Sequence, residues 1–411
     1  MSYSLFLFDD EVTQSWDPFV LTRPVGELLF GALLLRERSE VFWGSSCTGH
    51  LTQESLTGFS EPGSPHVVGP DEIPPDRHRI FQSSRAALTG PAPSLPQEVT
   101  TLYVEGQVVG WVLPPGTPTP ALETYRLPEP LPGTKRLDLQ GRILGSPWDL
   151  MAQNSDQLSE DIPKFFPGYA AEELPGCHIL GDGFVSLGSG VVVEPGSVFD
   201  VGAGPIRLSD GVVVRSHTRL EGPAYVGPGS TVLGGSLSEV SIGPACKVRG
   251  EVESTIILGY ANKGHDGFIG HAYIGRWVNL GAFTTNSDLK NNYGEVRVGG
   301  VHGPLETGLM KVGCFLGDHV KTGIGTLLNT GTVVGAGSNI FGGRMPPTYV
   351  PPFSWGTGGV LTEFKLDKFL EVAIRAMGRR GMELGEDMEA VLCRAWEATQ
   401  PLRNTGTEHQ E

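Results

Sequence analysis

The chain has 411 residues, of which 58 are glycine and 32 proline; only 18% are charged, and the formal net charge is −16. Such a length exceeds what one hydrophobic core usually serves, so two or three units are expected. The negative balance argues against nucleic acid, whose phosphates demand a basic face, and no 18-residue apolar run is present to cross a membrane. Residues 1–10 lack a basic n-region and are too briefly apolar for a signal peptide. A cytoplasmic protein contacting neither nucleic acid nor membrane is expected.

Taken in chain order, Tyr3 to Phe8 reads as a strand ending at Asp9-Asp10. Thr22-Arg23-Pro24 then opens a helix through about Arg38, with Pro24 at its first position and Leu28, Leu29, Ala32 and Leu33 on one face. Val41-Phe-Trp43 reads as the next strand, completing a β-α-β unit. Short strands follow at Val67-Val68, Arg79 to Gln82, Leu102 to Glu105 and Val108 to Val112. Seven prolines between Leu113 and Pro132 mark an extended connector, and Trp148 to Phe166 reads as a helical joint.

From Ile179 onward, apolar residues followed by a small one recur about every six positions: Val185, Val191, Val198, Ile206 and Val212, then Val226, Val232, Ile242 and Val248, then Ile269 and Ile274, and finally Leu316, Val334 and Ile340. Neither a 3.6-residue helix nor an alternating meander has that period. It fits a parallel β-helix, in which the Val, Ile and Leu positions form an internal column. Residues 282–312 break the period and read as a loop, the kind of segment where binding residues concentrate. Beyond Trp355, apolar stripes at Phe364, Phe369, Leu370, Ala373, Ile374 and Met377 and at Leu384, Met388, Val391, Leu392 and Trp396 read as two helices packed on the prism, or else joining neighbouring subunits.

Charge is uneven along the chain. Residues 1–176 carry −12, residues 177–361 only −1, and the tail −3. The middle segment holds 38 of the glycines and five of the nine lysines, all between Lys247 and Lys321. Two histidines, several amides and basic residues crowd into Gly259–Gly294, a density that folding does not require. A general base needs a partner to fix its tautomer and a neighbouring anchor for an anionic substrate, and His265 lies among Asn262, Lys263 and Arg276. Five scattered cysteines without a CxxC pair read as buried thiols.

The series Asn262-Lys-Gly-His265-Asp-Gly-Phe268-Ile-Gly-His271, Val278-Asn279-Leu-Gly-Ala282 and Lys290-Asn291-Asn292-Tyr293-Gly294 resembles the acetyltransferase half of the bacterial bifunctional N-acetylglucosamine-1-phosphate uridylyltransferase/glucosamine-1-phosphate acetyltransferase family. With LFDD and LTRPVGEL near the start, the whole chain is similar to a variant bacterial family of sugar nucleotidyltransferases. The resemblance implies a left-handed helix, a homotrimer, acetyl-CoA as co-substrate, and His265 as the base that deprotonates a sugar amine. It further implies that Asn279 and Phe268 contact sugar, that Ala282 lies by the acetyl group, that Asn291, Asn292 and Tyr293 close on substrate, and that Lys321, Gly323 and Thr326 lie along coenzyme A. Lys263, Arg249 and Arg276 would supply charge for phosphate. Phe283 and Glu253 depart from the family pattern.

The GxGTRM loop and phosphate lysine of the nucleotidyltransferase half are absent from the sequence, whose first lysine is Lys135. Arg23 at a helix start is a candidate phosphate cradle, and Asp9 or Asp10 a candidate Mg²⁺ ligand. The expected architecture is multidomain. It has an α/β sugar-nucleotidyltransferase-like domain (1–147), a helical linker (148–176), the hexapeptide β-helix (177–361), a short helical tail (362–400) and a disordered end (401–411). The leading expectation is acetyl-CoA-dependent N-acetylation of an amino-sugar 1-phosphate in nucleotide-sugar synthesis, with uridylyl transfer as a second activity. The alternatives are an N-terminal nucleotidyltransferase using the coil as a trimer scaffold, and a non-catalytic assembly module.

Overall fold

A computed structural model describes residues 3–167 and 174–403. The N-terminal sheet is mixed. β1 (Tyr3–Phe8) lies between β4 (Cys47–Leu51) and β5 (His78–Ser83), all parallel, and the antiparallel β8 (Gln107–Leu113) continues through β7 (Thr100–Val104) to β9 (Lys135–Asp138). β1 is buried along almost its whole length, as expected for a strand covered on both faces. The proline-rich connector contains a short helix, α2 (Leu122–Arg126).

The expected helix from Pro24 to Arg38 does not form. Val25–Glu27 is a single 3-10 turn, and β2 (Leu29–Phe30) pairs with β3 (Leu33–Leu34) in a hairpin whose tip, Gly31, has φ +66°. The helix, α1 (Leu35–Trp43), begins later and takes in the stretch expected as a strand at Val41–Trp43. Tertiary capture overrides the local period here. Asn154 and Asp161 of α4 (Asn154–Phe165) accept hydrogen bonds from the Gly31 and Ala32 amides at 3.0 and 2.9 Å. Asp161 also binds Arg38 at 2.7 Å, and the Tyr273 hydroxyl donates to the Leu29 carbonyl and accepts from its amide.

From His178 the chain winds as a parallel β-solenoid. One face stacks nine short strands, from Val185–Leu187 to Tyr349–Val350, and a second runs from His178–Leu180 to Ser354–Thr357. Most hexad positions fill the interior, Ile206, Val226, Ile242, Ile269 and Ile340 among them. At the open first coil Phe199 takes the inside place expected for Val198, and Val191 is only half-buried. Residues 282–312 do leave the coil, but Val296, Val298 and Val312 at the base of this excursion are buried against Trp16, Phe19 and Phe30 of the N-terminal segment. The tail forms α5 (Leu366–Gly378), α6 (Glu386–Ala398) and α7 (Gln400–Arg403). Phe369, Ala373, Met388 and Val391 pack on Phe353 of the last coil and on Leu56 and Phe59 of the N-terminal domain, whereas Ile374, expected on the buried stripe, is exposed. The end expected to be disordered lies outside the described residues from 404 onward, while 401–403 complete α7.

The two halves meet through a buried ionic lattice. Arg23 binds Asp318 at 2.8 Å and Glu61 at 2.9 Å, Arg276 binds Glu61 at 2.7 Å, and the Arg276 amide donates to Asp318 at 2.7 Å. Burial works against the Asp318 charge, yet Arg23 and Thr22 hold its carboxyl below the ordinary carboxylate range. Removing one partner leaves an uncompensated buried charge, so Arg23→Met should cost about 3–5 kcal/mol in urea unfolding. A loss below about 1 kcal/mol, the range of exposed pairs, would show that the lattice does not secure the junction.

Candidate active site

Three parts of the fold receive the residues singled out from the sequence. The first is one rung of the coil. The strand Phe268–Gly270 lies between two corners, with His265 before it and His271, at φ +47°, after it. Ile269 points into the core, so its neighbour Phe268 faces outward. His265 is exposed, and its side chain makes no hydrogen bond within the described residues. His271 is the oriented one: its Nδ1 lies 2.8 Å from Asp288 Oδ2, both side chains being 14% exposed. The bond to His271 is the main reason the Asp288 carboxyl lies below its usual range. Gly270 sits between them, since a Cβ there would meet the Phe268 ring and Asp288. Asn291, Asn292 and Tyr293 form the exposed tip of the 282–312 excursion.

The second part is a ladder on the adjoining face. Lys247 registers with Asn262, Asn262 with Asn279, and Asn279 with Lys321. Asn262 donates to Asn279 at 2.9 Å. Beside the ladder, Tyr260, Trp277 and His319 occupy equivalent corners at φ +53°, +62° and +62°, a conformation costing about 1–2 kcal/mol for a side-chain-bearing residue. Their rings stack, with centroids 4.4 Å apart for Tyr260–Trp277 and 6.3 Å for Trp277–His319. Lys321 turns its Nζ inward to the Trp277 and His319 carbonyls at 2.8 and 3.0 Å. Burial pushes it down to about 7. Lys263 is likewise turned in, onto the Arg249 and His265 carbonyls, and burial lowers it to about 8. Ala282 and Gly323 are half-buried on neighbouring coils, and the Thr326 hydroxyl is spent on the Gly323 carbonyl.

Of the three cations expected to meet phosphate, none is simply free. Lys263 is enclosed, Arg276 belongs to the junction lattice, and Arg249 binds Asp266 at 3.1 Å and the Leu233 carbonyl. Arg23 also departs from expectation, because its guanidinium is committed to Asp318 and Glu61 and is 1% exposed. The residues missed from sequence are Arg375, Arg379 and Arg380 of the tail, which with Lys247 and Lys321 line a cavity of about 350 Å³ over the ladder. Only Lys247 and Lys321 had a signal, the clustering of lysines.

The third part is the carboxyl edge of the parallel strands, where α/β sheets bind ligands. Asp9, Thr52, Gln53, Tyr125 and Arg126 line a cavity of about 240 Å³ there. Asp9 Oδ2 accepts from Thr52 at 2.7 Å, Oδ1 is buried without a partner, and burial raises its carboxyl. Asp10 is not available as a second ligand, since Arg85 holds it at 2.6 Å. Among the described residues no three potential ligands converge on a metal position, so of the expected pair only Asp9 is left to contribute a carboxylate at this edge.

The depressed lysines give a pH signature. The unfolded chain binds a proton at Lys321 up to about pH 10.4 that the folded chain releases near 7. The folded state therefore loses stability as pH falls through that window. Lys321→Met should gain stability relative to the parent most at pH 7, with the gap in urea midpoint closing toward pH 10. A gap that stays constant with pH would refute the depressed lysine.

Residues 5–166 match the model of a family described as sugar nucleotidyl transferase. A bifunctional sugar-1-phosphate nucleotidylyltransferase/acetyltransferase of Sulfurisphaera tokodaii is 32% identical over 95 residues, 23% of this chain and 24% of that one. The bifunctional protein GlmU of Bartonella quintana is 28% identical over 199 residues, 46% and 39% of the two chains, and that of Methanococcus vannielii 28% over 198, 48% and 42%. The chain thus spans less than half the length of these curated relatives. It joins a segment that matches the sugar nucleotidyl transferase model to a parallel β-solenoid, and is similar in part to bifunctional nucleotidylyltransferase/acetyltransferase proteins.

Proposed function

We propose that the chain is a transferase acting on sugar phosphates, and that its coil transfers acetyl from acetyl-CoA to the amine of an amino-sugar 1-phosphate. The observation that carries the reading is the rung from His265 to His271, where an unengaged imidazole and a carboxylate-oriented one flank an outward aromatic. Phe268 offers an apolar face to a sugar ring. His265, whose expected neighbours Asn262, Lys263 and Arg276 are engaged elsewhere, is left to substrate for its orientation and accepts the proton as the amine forms its C–N bond and the C–S bond breaks to release thiolate. Coil amides polarise the thioester carbonyl, and the His271–Asp288 pair fixes the neighbouring corner. A homotrimer around the coil accords with this reading.

His265→Ala should lower acetyl transfer, followed as CoA release with glucosamine 1-phosphate, by roughly 10²- to 10⁴-fold. Full rate in that variant, or an equal collapse in His271→Ala alone, would remove His265 from the role of base.

The unpartnered Asp9 oxygen at the sheet edge favours a second reading, nucleotidyl transfer in the N-terminal half. There Asp9 would anchor a hydroxyl or amino group of the nucleotide. Pyrophosphate release from UTP should fall roughly tenfold or more in Asp9→Asn, as expected for a lost charged hydrogen bond, and stay unchanged in His265→Ala. Release that is equal in Asp9→Asn and the parent would exclude this reading.

A further inference from the structure

The cavity between the ladder and α5 concentrates positive charge. On one wall stand Lys247 and Lys321; on the other, α5 and the turn after it present Arg375, Arg379 and Arg380. Positions 372, 376 and 379 or 380 recur every three to four residues, so one face of the tail helix looks onto the coil. None of the residues lining the cavity is a carboxylate. Arg375 leans outward on Glu371 at 3.4 Å. The side chains of Lys247, Arg379 and Arg380 have no ion pair or hydrogen bond to any other described residue. The C-terminal dipole of α5 would account for an arginine at the helix end, but it does not reach the lysines on the opposite wall. Cations facing each other across a confined space repel, and a bound anion turns that repulsion into attraction.

The ladder adds polar partners to this charge. Lys247, Asn262, Asn279 and Lys321 register on consecutive coils. Lys321 turns its Nζ inward onto the Trp277 and His319 carbonyls, so the ammonium this wall offers to an anion is that of Lys247. Between the lysines, the Asn262–Asn279 bond leaves the Asn279 amide hydrogens and the Asn262 carbonyl without a partner among the described residues. These offer one donor group and one acceptor to a neutral polar centre. The Tyr260–Trp277 stack borders the same space and separates it from a larger cavity of about 580 Å³ lined in part by Met377, Met382 and Met388.

We propose that this cavity is a binding site for a phosphorylated ligand, clamped between Lys247 and the tail arginines. A diphosphate ester carrying a polar group for the Asn262–Asn279 pair meets that description. The site deepens the transfer reading and rests on it for the choice of ligands, while the arrangement of charge stands without it. His265 follows Asn262 by three residues, past the end of the same strand, and does not itself line the cavity.

The test uses the full chain and titration calorimetry, with inorganic pyrophosphate, inorganic phosphate, acetyl-CoA, UTP and glucosamine 1-phosphate as separate probes. Acetyl-CoA or UTP, whichever is the source, should bind more tightly than inorganic phosphate. In Arg379→Ala/Arg380→Ala and in Lys247→Ala the affinity for that probe should weaken by roughly tenfold or more and its salt dependence should lessen. Lys135→Ala, an exposed cation in the N-terminal domain, should bind as the parent does. Thermal unfolding of the variants checks that they are folded, and Arg379→Lys/Arg380→Lys should restore part of the affinity. His265→Ala should bind normally even where it abolishes turnover, which separates failure of the site from failure of the acetyl-transfer reading. Binding that is insensitive to the tail arginines, a loss equally present in Lys135→Ala, or no binding of any phosphorylated probe would overturn the proposal.

Discussion

Two arginines and two carboxylates, Arg23, Arg276, Glu61 and Asp318, fix the relation of the N-terminal sheet to the coil. Their charges balance, which makes burial tolerable, and each member satisfies a group from another part of the chain. Desolvation would expel any one of them alone. Together they hold Thr22 against the coil and position the corner of Arg276–Trp277, so the aromatic stack and the cavity beside it inherit their geometry from this lattice. The lattice also explains why two arginines that looked suited to phosphate are unavailable for it. They are interior counter-ions.

The solenoid was legible because its period is covalent in origin: each rung repeats a small residue at a corner and an aliphatic residue inside. Residues such as Ile242 and Ile269 therefore declare themselves without knowledge of their neighbours. The β2–β3 hairpin was not legible. Leu28, Leu29, Ala32 and Leu33 have helical spacing, and only hydrogen bonds from residues more than a hundred positions away make the extended form the stable one. The candidate site divides in the same way. The histidines, Asn279 and Lys321 stand in one stretch or in a marked lysine cluster. Arg379 and Arg380 lie at the end of an amphipathic helix, where basic residues are ordinary, and only the fold turns them toward Lys247. The His271–Asp288 pair depends on the return path of the 282–312 excursion, which no local pattern encodes.

Electrostatically the chain separates its charges by location more than by number. The acidic N-terminal half spends several of its carboxylates on buried arginines, as in Glu27 with Arg36 and Asp161 with Arg38. The whole chain's net charge of −16 is therefore a poor guide to the field near the coil. There, enclosed lysines lose their protons readily and the tail arginines do not, so part of the local charge depends on pH and part is permanent.

The cluster that joins Trp16, Phe19, Leu29 and Phe30 to Ile256, Tyr273, Phe315 and Val333 bears on modularity. Chains of two folded halves are commonly pictured as exchangeable cassettes on a string. Here most of the apolar residues between Trp16 and Leu35 are interior to both halves, with Tyr273 bonded to Leu29 at their contact. A recombination breakpoint anywhere in the linker near 148–176 would tear a single apolar interior in two. Such a chain is free to diversify its surface chemistry at either end, but its halves are constrained to be inherited together.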